Sequence, residues 1–191
     1  MELNGRQVEP IREDHLNRYR WVSCFMRPSD LVLDVACGAG YGTQIIGERC
    51  ALALGYDISE EAIKYANAHY LNAHTGFMLA DVTTVSLPRA CAAVSFETIE
   101  HLPDPLPFLK ELRRKTKRLF ASVPNQDVLP FDQARHKYHY RHYTLQEFDA
   151  LLVEAGWRPT AYHGQEGKAG VVYNHVSGTR HTGSTIVVSA E

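Results

Sequence analysis

Long hydrophobic runs are missing from this chain. None approaches the ~20 apolar residues that span a bilayer, so membrane insertion is not expected. The first residues, MELNGRQVEPIRED, are polar and contain no apolar signal core. An excess of charge is missing too: 20 Lys and Arg stand against 22 Asp and Glu, a net charge of -2. A protein built to grip a polyanion carries a basic surplus, so neither nucleic acid nor an anionic lipid surface is the expected partner. The four cysteines, Cys24, Cys37, Cys50 and Cys91, form no C-x-x-C pair and lack zinc-finger spacing. They read as free thiols, mostly buried, in a reducing cytoplasm. No repeat or low-complexity tract interrupts the 191 residues, a length suited to one domain.

What is present is an alternation of short apolar runs with amphipathic stretches. Residues 11–26 predict an N-terminal helix, with Ile11, His15, Arg18, Tyr19 and Val22 at three- and four-residue steps. Strands are predicted at 31–36, 52–57, 76–81, 91–96 and 118–123. Helices are predicted from the glycine-dense segment to about Cys50, from Ser59 to about Leu71, over 105–115, and from Thr144 to about Ala155. WRPTAYH at 157–163 and STIVVSA at 184–190 predict two last strands. The expected architecture is a seven-stranded doubly wound α/β sheet, Rossmann-like and mostly parallel, with an antiparallel edge. Residues 1–28 form its helical entry. The least patterned stretches, 124–143 and 163–182, are expected as loops on the acceptor side. A basic run, Lys110 to Arg118, straddles a predicted helix end. It reads as a solvated helix terminus or an anion contact.

The strongest local signal is Asp34-Val35-Ala36-Cys37-Gly38-Ala39-Gly40-Tyr41-Gly42. A strand that feeds a glycine turn and then a helix makes a nucleotide site at the switch point of an open sheet. Asp57, 17 residues beyond Gly40, ends the second predicted strand, where a carboxylate can accept hydrogen bonds from a ribose diol. Asp81 ends the third, where an acid followed by a backbone N–H can read an adenine edge. The spacing is G-x-G-x-G, with Thr43 at the third position of the dinucleotide fingerprint. An acid at Asp34 is awkward beside a pyrophosphate but useful beside an ammonium or sulfonium.

Together with EDHLNRY, LADV, SFETIEHLPDPLPFLKEL, ASVPN and HYRHYTLQEFDALL, these motifs resemble the class I S-adenosylmethionine-dependent methyltransferases over about residues 12–157. More narrowly the chain is similar to small bacterial and phage members whose relatives occur in glycan-biosynthesis clusters. It departs from them in having Lys115-Thr116-Lys117 where a Pro-Gly-Gly turn is usual. The resemblance implies a cofactor site of Asp34, Ala36, Cys37, Gly38 and Gly40 at the methionine moiety. It implies Asp57 at the ribose, Ile58, Asp81 and Val82 at the adenine, and Phe96 closing the site. Arg18 or Tyr19 would reach the cofactor carboxylate, or else serve helix packing.

Glu97-Thr98-Ile99-Glu100-His101 follows the fourth predicted strand. Two carboxylates and an imidazole suit a hard or borderline cation. The element resembles the E-x-x-E-H of ubiquinone-pathway O-methyltransferases and small-RNA 2′-O-methyltransferases. That resemblance implies a magnesium-like ion on Glu97, Glu100, His101 and His139. Two alternatives stay open: His101 as a general base without metal, or a structural role for the run. The chain has ten histidines, six of them from His136 onward. His136 and His142 read as surface or acceptor contacts, and His163, His175 and His181 carry no argued role. Base-methylating chemistries are set aside. No Asn/Asp-Pro-Pro-Tyr-like run follows the fourth strand, and no cysteine follows a proline. The expected reaction is methyl transfer to a hydroxyl oxygen of a small-molecule or carbohydrate acceptor. The alternatives are an RNA 2′-O-methyltransferase and a non-catalytic binder of the cofactor.

Overall fold

A computed structural model describes residues 2–3, 6–7, 12–165, 172–173 and 183–191. Strands β1 (Glu2–Leu3) and β2 (Arg6–Gln7) pair antiparallel, followed by helix α1 (Glu13–Ser23). The main chain of elements is then β3 (Leu31–Val35), α2 (Tyr41–Gly47), β4 (Leu52–Asp57), α3 (Glu60–Tyr70), β5 (Thr75–Leu79) and β6 (Ala92–Phe96). It continues with α4 (Leu106–Lys115), β7 (Arg118–Pro124), α5 (Leu145–Glu154), β8 (Pro159–Gln165), β9 (Val172–Tyr173) and β10 (Thr185–Ala190).

The sheet order is β5-β4-β3-β6-β7-β10-β8-β9. The five strands from β5 to β7 are parallel, and β10 runs antiparallel between β7 and β8. Seven strands were expected and seven form the body of the sheet; the eighth, β9, is a two-residue addition beyond β8. The chain travels outward from β3 to β5 and returns to β6, so the switch point falls between β3 and β6. Ligands of open α/β sheets bind at that crevice.

Alternation along each strand divides the core between the two faces. Val32, Ala53, Ala92, Val94 and Phe120 pack with Val22 of α1 and Ile46 of α2. Leu33, Val35, Ala93, Leu119 and Ala121 pack on the other side with Leu109 and Leu112 of α4 and Phe148 and Leu152 of α5. The helix starts match their predicted caps. Ser59 accepts from the Ala62 N–H, and Thr144 and Glu147 form a reciprocal capping box.

Some boundaries differ from expectation. Helix α2 ends at Gly47 and not near Cys50, and α1 is shorter than 11–26. Strand β5 ends at Leu79, so Asp81 lies in the turn beyond it. Trp157 precedes β8 because its buried indole donates to the Leu109 carbonyl (3.1 Å) and plugs α4 against the sheet. His163, which ends the predicted strand 157–163, lies inside β8, buried, with its ring 4.8 Å from that of Trp21. His175 and His181 lie outside the described residues, as does most of 163–182. Cys37 and Cys50 are buried, Cys91 is half-buried and Cys24 exposed; all four are free. In the basic run, Arg114 and Lys115 pair with Glu111 and Arg118 pairs with Asp30. No helix among the described residues is long and apolar enough to cross a membrane.

Helices α1 and α2 meet where Gly42 lies against the ring of Tyr19 with no room for a methyl group. Gly42→Ala is expected to displace Tyr19 and to destabilise the protein by about 1–3 kcal/mol, read as a lower urea midpoint at unchanged slope.

Candidate functional site

The glycine turn after β3 needs the left-handed region three times. Ala36 (φ 63°), Gly38 (φ 55°) and Gly40 (φ 87°) all adopt it, and Gly40 then starts α2. A side chain at Gly40 would strike Ala66 and Phe77, whereas one at Gly38 would meet nothing within 4 Å. The turn is thus pinned on its helix side and open on the other. Asp57, at the end of β4, fastens it: its carboxylate accepts from the N–H of Gly38 and of Ser59, each at 2.8 Å.

A cavity of about 700 Å³ opens beside this turn. Ala36, Asp57, Ile58, Asp81, Val82 and Thr83 line one part; Glu97, Thr98, His101, Leu102 and Pro103 line the other. Asp81 accepts from the hydroxyl (2.6 Å) and N–H (2.8 Å) of Thr83, which hold its carboxyl below the usual range. Ile58 is 72% exposed where it lines the cavity. Cys37, Gly38, Gly40 and Phe96 neighbour the cavity without lining it; Phe96 is buried edge-on against Tyr19.

Three of the residues expected at the cofactor are committed elsewhere. The Asp34 carboxylate has no exposed surface. It accepts from the Tyr19 hydroxyl (3.1 Å) and the Thr43 hydroxyl (2.6 Å). It ties α1 and α2 to β3 and does not face a ligand cation. Burial pushes its pKa up to about 7, against the opposing pull of those two hydrogen bonds. Tyr19 is used up in the same contact. Arg18 is 1% exposed: its Nη1 reaches Glu97 (2.6 Å) and Ser122 (2.9 Å), Nη2 lies 3.7 Å from Asp14, and neither Nε nor Nη2 has a hydrogen-bond partner.

That pairing also redirects Glu97. Its carboxylate accepts from Arg18 and from the Ser122 hydroxyl (3.0 Å), and its backbone adopts φ 53°. Burial alone would raise its pKa; Arg18, His15 and the Ser122 hydrogen bond outweigh this and hold it below the usual range. Glu97 is therefore not with the other expected metal ligands. Glu100, His101 and His139 are brought together: one carboxylate oxygen and one ring nitrogen of each histidine lie within 4.8 Å of one another. Glu100 is fully buried and neither of its carboxylate oxygens has a hydrogen-bond partner. Burial, reinforced by the Glu97 charge, raises its pKa well above the usual value. Burial and the neighbouring His101, His142 and His136 push His139 down to about 4, so it is a neutral ring at pH 7.

The histidines of 136–142 cluster by their rings although no helix forms there. His136 and His139 stack at 5.3 Å, and His101 meets His139 at 4.5 Å. His142 is not a surface residue: it is 5% exposed and hydrogen-bonded to both His139 and the Leu129 carbonyl. Its three-residue spacing from His139 is the sequence signal that could have found it. Ser122 carried no such signal, because a serine inside a strand matches any half-buried position.

Residues 33–119 match the family Methyltransf_11, described as a methyltransferase domain. The chain is 30% identical over 142 residues to the probable S-adenosylmethionine-dependent methyltransferase of Mycobacterium tuberculosis, covering 70% of this chain and 50% of that protein. It is 30% identical over 105 residues to the ubiquinone biosynthesis O-methyltransferase of Idiomarina loihiensis, covering 51% of this chain and 43% of that one. The fold matches a chain of the complex between the Haloferax volcanii Trm112 methyltransferase activator and its partner methyltransferase. That match has a TM-score of 0.77 and 15% identity, over 92% of this chain and 89% of that one. The chain is thus similar in sequence to S-adenosylmethionine-dependent methyltransferases and carries a methyltransferase-domain match over residues 33–119. It spans about half the length of the curated methyltransferases that it matches.

Two outcomes follow for this site. Asp34 binds its proton more tightly in the folded than in the unfolded state. Its contribution to stability is therefore full at low pH and is lost as pH rises from about 4 to about 7. Urea titrations of wild type and Asp34→Asn should show the variant gaining on the wild type from pH 5 to pH 8. Glu97→Gln leaves Arg18 buried beside a neutral partner and is expected to cost about 3–5 kcal/mol, read from the same titrations at pH 7.

Proposed function

We propose that this chain transfers a methyl group from S-adenosylmethionine to a hydroxyl oxygen of a small-molecule or carbohydrate acceptor, acting in the cytoplasm as one methyltransferase domain. The observation that carries the reading is a single cavity that joins Asp57, Ile58 and Asp81 to the histidine lip at His101. In this reading Asp57 receives the ribose hydroxyls, Asp81 and the Val82 N–H meet the adenine edge, and Ile58 covers its face. The open side of Gly38 admits the methionine part. The bound cofactor supplies a methyl group on a positively charged sulfur, a leaving group that needs no further activation.

What remains for the protein is alignment and removal of one proton. The Nδ1–H of His101 donates to the Tyr138 carbonyl (2.9 Å), which leaves the Nε2 lone pair of the neutral ring either to ligate an ion or, without metal, to act as the general base. Glu100, His101 and His139 would hold a divalent cation of the Mg²⁺ or Mn²⁺ kind. The unpartnered Glu100 oxygens and the neutral His139 ring are the features that fit one. When bound, such an ion lowers the pKa of a hydroxyl that it touches. Segment 124–143 is read as the acceptor side, since Tyr138 (81% exposed) and Tyr140 (55%) flank His139 there. The O-methyltransferase relative supports oxygen as the atom methylated. The near-balanced charge weighs against a polyanionic acceptor.

Calorimetry with S-adenosylmethionine, followed by a tritiated-methyl screen over small molecules, glycans and RNA, tests the reading. Label is expected in a small molecule or glycan. Salt-dependent labelling of RNA would transfer the proposal to a 2′-O-methyltransferase. Binding without any labelled acceptor would make the chain a non-catalytic binder. EDTA is expected to abolish transfer and Mn²⁺ to restore it; full activity after exhaustive chelation would leave His101 as the base without metal.

A further inference from the structure

Two carbonyl groups decide which nitrogen each histidine of the lip offers. A carbonyl oxygen only accepts hydrogen bonds, so the ring nitrogen facing it carries the proton. The Leu129 carbonyl faces His142 Nδ1 at 2.7 Å, which makes that atom N–H and leaves His142 Nε2 as an acceptor in the neutral ring. His139 Nδ1 lies 2.9 Å from His142 Nε2 and must be the donor. The remaining nitrogen of His139, Nε2, is then the one with a free lone pair. The starting carbonyl is itself fixed: Leu129 and Val128 donate to the Asn125 carbonyl at 2.7 and 3.2 Å, and the Asn125 side chain, fully buried at the end of β7, donates to the Gly183 carbonyl at 3.0 Å.

We propose that His142 is a positioning residue that, through the Leu129 carbonyl, locks His139 in its Nδ1–H tautomer and reserves Nε2 for the cluster with Glu100 and His101. The consequence for an ion at that cluster rests on the function proposed above; the tautomer itself does not. Outer partners of this type raise the basicity of a ligating histidine and set its orientation, and their loss commonly lowers metal affinity ~10–100-fold. The Tyr138 carbonyl does the same for His101, so both rings offer the same kind of atom. His136, stacked on His139 but with its own Nδ1 turned to the Asp132 carbonyl (3.1 Å), stands outside this chain of bonds.

Long-range ¹H–¹⁵N spectra of the ¹⁵N-labelled wild type read the tautomer directly, without metal, cofactor or turnover. His139 is expected as Nδ1–H. Finding it as Nε2–H would overturn the proposal, and this measurement needs no variant to fold. His142→Phe keeps a ring between Phe131 and His136 but removes both hydrogen bonds. In it, His139 is expected to relax to a mixture of tautomers. Mn²⁺ alone, titrated by electron paramagnetic resonance, should bind ~10–100-fold more weakly to His142→Phe than to wild type and unchanged to His136→Phe. Equal affinity of wild type and His142→Phe, with thermal melting showing both folded, would overturn the positioning role. A wild type with the expected tautomer and no Mn²⁺ binding would sink the metal reading while upholding the tautomer lock.

Discussion

The buried ion pair between Arg18 and Glu97 is the contact on which the arrangement of the lip depends. It joins the N-terminal helix to the end of β6, and Ser122 of β7 completes the triangle. Burying two charges is unfavourable unless the geometry is close and the remaining hydrogen bonds are met. Here both conditions hold on the Glu97 side, and the pair stabilises a glutamate backbone at φ 53°, a conformation few non-glycine residues adopt. The turn that follows swings Glu100 inward and His101 toward the cavity. Without α1 in place, the lip would have neither its charge balance nor its shape.

A division of labour among the acids follows from the same contact. Asp34, Glu97 and Glu100 occupy the ends of the neighbouring strands β3 and β6, yet their environments differ. Asp34 is braced by two hydroxyls, Glu97 by a guanidinium, and Glu100 by nothing. Only Glu97 is held ionised by a cation. Burial raises the other two, so the crevice avoids three adjacent negative charges. Asp57 and Asp81, by contrast, lie toward the open rim, where backbone N–H groups hold them and leave surface for a ligand.

The sheet and the Asp57–Asp81 part of the cavity were legible in the sequence. Apolar runs with period two and capped helices encode them locally, and Asp57, Ile58, Asp81 and Val82 line the cavity as their positions at strand ends suggest. The surroundings of Asp34 were less legible. Asp34, Arg18 and Tyr19 had the right chemistry for a ligand, but each finds its partner in an element distant in sequence, and pattern alone does not reveal a charge already neutralised by the fold. The lip was legible in part. Glu100, His101 and His139 converge, in keeping with the resemblance that singled them out. Glu97 is diverted by a helix 79 residues earlier. The burial of His142 depends on a carbonyl 13 residues upstream that no side-chain motif marks.

Strand β10 lies between β7 and β8, although it follows β8 by about 20 residues in the chain. Strand β8 therefore reaches the parallel strands only through the later strand β10. With β8 come His163, which packs on Trp21, and Gln165, whose side chain donates to the Asp14 carbonyl of α1. The helix that bears Arg18 is thus secured from the far edge of the sheet as well as from the strand ends. The lip of the crevice therefore leans, through α1, on the last strand of the chain.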